Sequence, residues 1–207
     1  MLYRRPIVEH LSEIGALTPN FTLNHAIWLT DHELDLVAEH GCSVTHNPVS
    51  NLKLGAGVAR VPEMLARGIN VALGTDGTST SDRADMLRSL ALAAILHRVG
   101  EMDYATWPTA EDAFRMATNG GAQSALLQDD IGTIEVGRKA DLVLYDRSDY
   151  GFIPLKDPVA QLTYAVNSDA VRTVLVDGRV IMRERELTGI DEAAIKAELR
   201  EEAERYL

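Results

Sequence analysis

Val71-Ala72-Leu73-Gly74-Thr75-Asp76-Gly77 is an apolar run that stops abruptly at a carboxylate set between two glycines. A short run of this kind, closed by glycine, reads as a buried strand passing into a tight loop. In parallel α/β proteins the ligand site lies at that end of the strands. Two upstream runs end in histidine, Phe21-Thr22-Leu23-Asn24-His25 and Cys42-Ser43-Val44-Thr45-His46. Three successive strands therefore deliver His25, His46 and Asp76 to one rim. Those side chains hold metals or move protons.

Amphipathic helices separate the strands. Thr30-Asp31-His32-Glu33 is a capping box opening a helix with Leu34, Val37 and Ala38 on one face, ended by Gly41. A second helix starts near Val61-Pro62 and stops at Gly68, so the third strand runs from Ile69 to Leu73. Further helices are expected from Asp85 to Val99, Thr109 to Thr118 and Ala122 to Leu127. Repeated strand–helix–strand units imply a parallel sheet or barrel. After Gln128 the character changes. Gly132 to Gly137 is a turn-rich connector and Ala140 to Tyr145 a strand. Val171 to Val176 and Arg179 to Arg183 flank Asp177-Gly178, a strong hairpin signal. The tail from Asp191 to Tyr206 carries Ala194, Ile195, Leu199 and Ala203 at helical spacing, which predicts a helix packed on the body.

The 207 residues carry a formal net charge of −11, 46% hydrophobic and 25% charged residues. No basic stripe is present, which disfavours nucleic acid as a partner. No apolar run approaches the roughly 20 residues that span a bilayer, and no signal peptide opens the chain. The lone cysteine, Cys42, lies in an apolar strand and reads as a core residue, so a reducing, cytoplasmic setting is the expectation.

Three segments, Leu23-Asn-His-Ala-Ile-Trp-Leu-Thr-Asp31, Thr45-His-Asn-Pro-Val-Ser-Asn-Leu-Lys-Leu-Gly55 and Leu73-Gly-Thr-Asp-Gly77, together resemble the amidohydrolase superfamily, in its cytosine-deaminase-like and chlorohydrolase-like branch. Ile131 to Tyr145 resembles that family's re-entry into its small β domain, and Val174 to Arg179 its closing hairpin. The resemblance runs over essentially the whole chain. It implies an α/β fold comprising the C-terminal part of a metal-dependent (β/α)8 TIM-type barrel, about strands 6 to 8, plus strands of a small β-sandwich domain. The expected division is residues 1–130 as partial barrel, 131–188 as sandwich with a returning helix near 157–166, and 189–207 as C-terminal helix.

By the same resemblance, Asp76 is a metal ligand and the proton acceptor for an attacking water, and His25 a catalytic group that orients that water or the substrate. His46 and Asn51 are candidate substrate-binding residues; at the level of the residues alone, His46 equally braces its loop, and an Asn in a loop such as that of Asn51 more often satisfies its own turn. The implied cofactor is one divalent metal, zinc with iron as the alternative. The implied reaction is hydrolysis of a non-peptide C–N bond, deamination (or dechlorination) of a nitrogen heterocycle by a metal-bound water. The family's other ligands, and its general-acid glutamate, are expected outside these residues. His10 and Glu13 have the right spacing for that glutamate motif but lie on a helical pattern, where i and i+3 groups simply pair. The chain alone is therefore expected to be inactive, and to be completed by an N-terminal half or by homo-oligomerisation. The rival reading is a non-catalytic scaffold. His32 and His40 read as an exposed helix face, His97 as a cation suited to a helix end, and Trp28 and Trp107 as packing anchors, Trp28 near enough to His25 to line a pocket.

Overall fold

The computed structural model describes residues 5–100 and 102–206. The chain runs α1 (Ile7–Glu13), β1 (Thr22–Asn24), α2 (Asp31–Glu39), β2 (Ser43–His46), α3 (Pro48–Lys53), α4 (Val61–Ala66), β3 (Asn70–Leu73), α5 (Thr78–Ser81), α6 (Met86–Ile95), α7 (Ala110–Arg115), α8 (Gly121–Ser124), β4 (Leu142–Tyr145), α9 (Pro158–Tyr164), β5 (Val171–Val176), β6 (Arg179–Arg183), β7 (Glu186–Leu187) and α10 (Glu192–Glu204). No helix among the described residues is long and apolar enough to cross a membrane.

The first sheet is parallel, in the order β1-β2-β3. Its strands are aligned so that Asn24 lies beside Thr45 and His46 beside Leu73. Local chemistry sets the punctuation between them. The Thr30 hydroxyl accepts from the Glu33 N–H while the Glu33 carboxylate accepts from the Thr30 N–H, closing both halves of the capping box. Glycines at positive φ, Gly41 (65°) and Gly68 (72°), let the chain leave α2 and α4 and turn directly into β2 and β3. Leu34, Val37, Val44, Met64, Val71 and Leu90 meet between sheet and helices, each no more than 3% exposed. Cys42 belongs to this core, its thiol directed at the Thr18 carbonyl and its pKa raised by burial.

The second sheet is antiparallel, in the order β4-β5-β6-β7. Asp177 (φ 49°) and Gly178 (φ 75°) form the hairpin turn between β5 and β6 at the expected place. Neither face of this sheet is well covered: Val143, Leu144 and Ile181 are each 43% exposed or more.

Several sequence expectations are corrected. The helix expected to Val99 ends at Ile95 and continues as a 3-10 turn over Leu96–Arg98. The helix expected over Thr109 to Thr118 gives way after Arg115 to a π-helical turn, Met116–Gly120, and α8 is one short turn. That turn seats Gly120 close to the Val71 carbonyl of β3, where a Cβ would collide, and the Asn70 amide donates to the Gly120 carbonyl at 3.1 Å. The terminal helix α10 forms under an Asp191 cap, but no residue of it is buried, and Ile195 and Leu199 stand 46% and 63% exposed. Trp28 is 81% exposed, its indole N–H donating to the Ala56 carbonyl at 2.9 Å and its ring lying beside Gly57, where a Cβ would collide with it.

Candidate active site

His25 sits one residue past β1, and Asp76 three residues past β3. The hydrogen-bonding ladder continues beyond the strands to bring them level, through His25 N–H to the Thr45 carbonyl and Gly74 N–H to the His46 carbonyl, both 2.9 Å. His25 (φ 68°), Ala26 (46°) and Asp76 (60°) all adopt left-handed backbone. For residues with a Cβ this costs on the order of 1–3 kcal/mol each, and such positions cluster at functional sites.

Helix α3 supplies what holds them. The chain leaves β2 at His46, and Pro48 in the first turn of α3 starts a helix that carries Ser50 and Asn51, 1% and 2% exposed, under the rim. The Ser50 hydroxyl donates to Asp76 Oδ2 at 2.5 Å, and the Gly77 N–H to Asp76 Oδ1 at 2.7 Å. These two bonds, followed by one from the Thr80 side chain, hold the Asp76 carboxyl below the usual carboxylate range, so it is ionised at neutral pH. Asn51 Oδ1 lies 2.8 Å from His25 Nδ1. The other imidazole nitrogen, Nε2, stands 3.9 Å from Asp76 Oδ2, too far for a direct hydrogen bond. Gly74 is dictated by the same region, since a side chain there would collide with the Asn47 carboxamide.

The structure thus gathers His25, Asn51 and Asp76. It leaves His46 fully buried, its ring 6.2 Å from that of His97 and neither of its nitrogens hydrogen-bonded. Burial, then the nearby His97 and His25 imidazoles, push the His46 pKa down to about 3. His97 is no solvated cation either: burial lowers its pKa, and its Nε2 has no hydrogen-bond partner. A cleft of about 880 Å³ opens beside His97, between Pro62, Glu63 and Thr106, away from the His25–Asp76 pair.

Among the described residues no three His, Cys, Asp or Glu side chains are grouped to hold a metal. A catalytic zinc site takes about three protein ligands. Asp76 suits one of those places, being ionised, partly open at 28% side-chain exposure, and retaining lone pairs beyond its hydrogen bonds. Ser50 and Thr80 were not legible as site residues, because Ser50 meets Asp76 from a helix 26 residues upstream and Thr80 is an ordinary hydroxyl in the short helix that follows Asp76.

A sequence model described as the amidohydrolase family matches residues 4–181. A 5-methylthioadenosine/S-adenosylhomocysteine deaminase of Syntrophobacter fumaroxidans is 42% identical over 184 residues, which is 89% of this chain and 42% of that protein. The crystal structure of an adenosine deaminase from Xanthomonas campestris with bound zinc superposes with a TM-score of 0.93 at 36% identity, over 98% of this chain and 46% of that one. Atrazine chlorohydrolase from Arthrobacter aurescens, complexed with zinc, gives 0.89 at 30% identity, over 95% and 44%. The chain spans less than half the length of each of these proteins.

Proposed function

The chain belongs to the amidohydrolase family, and we propose that it supplies the C-terminal half of a metal-dependent hydrolase that deaminates a nitrogen heterocycle of the purine-nucleoside class. In this reading β1, β2 and β3 are the sixth to eighth strands of the barrel, and β4 to β7 one part of a β-sandwich whose missing partner explains their exposed apolar residues. The substrate class is supported by the deaminase at 42% identity, against the chlorohydrolase at 30%. Zinc is supported by its presence in both structural relatives.

The observation that carries the reading is the meeting of His25 and Asp76 across 3.9 Å, each anchored from α3. Asp76 would be one protein ligand of a divalent ion, which would supply Lewis acidity that lowers the pKa of a water toward neutrality. Asp76, ionised, takes the proton that the attacking water gives up. A single water about 2.8 Å from both His25 Nε2 and Asp76 Oδ2 spans their separation, so His25 fixes the direction of attack. With one carboxylate in place among the described residues, further ligands and the general acid have to come from outside them. A scaffold reading accounts poorly for two strained, hydrogen-bonded residues of these types at adjoining strand ends.

Ammonia release from adenosine and 5′-deoxyadenosine tests this. The purified chain with excess zinc gives no turnover, whereas the chain combined with a polypeptide carrying the remaining half of the Syntrophobacter fumaroxidans relative does. In that combination Asp76→Asn lowers kcat by at least about 100-fold, the scale of a general acid–base contribution. Full activity in the Asp76→Asn protein overturns the assignment, and turnover by the chain alone overturns its dependence on outside residues.

A further inference from the structure

Two adjacent residues of α3 each grip one of the reacting groups. Asn51 Oδ1 meets His25 Nδ1 at 2.8 Å, and the Ser50 hydroxyl meets Asp76 Oδ2 at 2.5 Å. Both gripping residues are buried, and their geometry is fixed by the helix that carries them. A carboxamide oxygen only accepts, so the hydrogen bond requires the proton on Nδ1. A neutral imidazole has one ring proton, which leaves the lone pair on Nε2. That nitrogen is the one facing Asp76 Oδ2.

We propose that Ser50 and Asn51 are positioning residues for the reaction: Asn51 holds His25 with its proton on Nδ1, Ser50 holds the Asp76 carboxylate, and Nε2 and Oδ2 become a seat of two acceptors for one water. Two acceptors 3.9 Å apart have no hydrogen to share between themselves. A water fills the gap by donating one O–H to each. Its oxygen lone pairs then point away from both groups, toward whatever it attacks. The opposite tautomer, with Nε2–H, spends a water lone pair on the imidazole and turns that oxygen away from attack. The orientation of the Asn51 amide therefore decides whether the site holds water by its hydrogens or by its oxygen. The other end of that amide, Nδ2, is buried without a hydrogen-bond partner, so among the described residues the contact with His25 is the side-chain hydrogen bond that orients it.

The assignment of His25's tautomer stands on the hydrogen bond alone; its catalytic meaning rests on the hydrolase reading above. Two-bond ¹H–¹⁵N spectra of the ¹⁵N-labelled 207-residue chain read the tautomer directly, recorded near pH 9 where histidines are ordinarily neutral. A His25→Gln variant identifies the His25 signals by removing them. The expected result is a proton-bearing Nδ1 and a bare Nε2 in the wild type and in Asn51→Asp, which keeps an acceptor. In Asn51→Leu the preference is lost. An Nε2–H tautomer in the wild type overturns the proposal, as does a spectrum indifferent to the residue at 51; if Asn51→Leu fails to fold, the wild type and Asn51→Asp still decide.

In the combined enzyme, Ser50→Ala lowers kcat by roughly ten- to a hundredfold with little change in KM, and Ser50→Thr restores it. An unchanged kcat overturns the role given to Ser50. Absence of turnover in the combined wild type, with the Nδ1–H tautomer intact, counts against the hydrolase reading and leaves the tautomer standing.

Discussion

His46 makes folding stability depend on pH in a way that one substitution isolates. Its ring is 0% exposed with neither nitrogen hydrogen-bonded, and its pKa falls from 6.5 to about 3. The unfolded chain therefore takes up a proton as pH drops through 6.5, while the folded chain does not until about pH 3. The stability that follows from keeping this histidine neutral is fully present above pH 6.5 and is lost steadily below it. At pH 5, one and a half units below the unfolded value at about 1.36 kcal/mol per unit, the loss is about 2 kcal/mol relative to pH 7.5. His97 adds loss of the same sign, since burial lowers its pKa too, and His25 is the other titratable group acting on this ring. His46→Leu keeps the bulk, removes the titration, and takes two unpartnered buried nitrogens out of the core. Urea unfolding of both proteins at pH 7.5 and pH 5 is the assay. Because His97 remains in both, the variant gains on the wild type by about 2 kcal/mol between the two conditions. Parallel losses in the two proteins would refute the reasoning, and would mean that His46 is charged or hydrated in the folded state.

Two neighbouring glycines give opposite outcomes on mutation to alanine. A Cβ at Gly120 lands on the Val71 carbonyl oxygen and lies 3.3 Å from that of Arg115, both backbone, whereas at Gly121 the nearest atom is an ordinary 3.9 Å away. Helix propensity favours alanine by about 1 kcal/mol at either position, and overpacking costs about 1–3 kcal/mol. Gly120→Ala is thus destabilising and Gly121→Ala stabilising by up to about 1 kcal/mol in denaturant titrations; equal effects would show that α8 is free to shift from β3. Thr30→Ala removes a cap whose partner carboxylate, Glu33, is only 3% exposed and also receives the Thr30 hydroxyl at 3.1 Å. Its cost is about 1–2 kcal/mol by thermal or urea unfolding, against less than about 1 kcal/mol for the more open Thr109 cap, and the reverse order would place Glu33 in water.

What the sequence disclosed and what it concealed divide by the range of the interaction responsible. The Thr30–Glu33 capping box, the helix-ending Gly41 and Gly68 and the Asp177-Gly178 hairpin are decided within about four residues, and each was readable at its position. The strand-end placement of His25 and Asp76 was readable for the same reason, since an apolar run and its terminator are a one-dimensional signal. The π-helical turn was not: it seats Gly120 against the Val71 carbonyl, nearly fifty residues away, a contact that leaves no local pattern. Helical spacing in α10 announced an apolar stripe correctly but carries no information on whether a surface waits to receive it, and Ile195 and Leu199 remain exposed.

The site follows that division. Asn51 and Ser50 stand next to each other in a polar run that reads as loop, and only the turn begun by Pro48 aims one at His25 and the other at Asp76. Groups that carry charge or protons betray themselves by type and position, while the groups that orient them are ordinary serines and asparagines whose value is geometric. A sequence reading of such a site will therefore recover its chemistry before its precision. The Asn51 substitutions probe the second of these, because in the mechanism proposed for this site a His25 in the wrong tautomer would have all the expected residues and direct the water the wrong way.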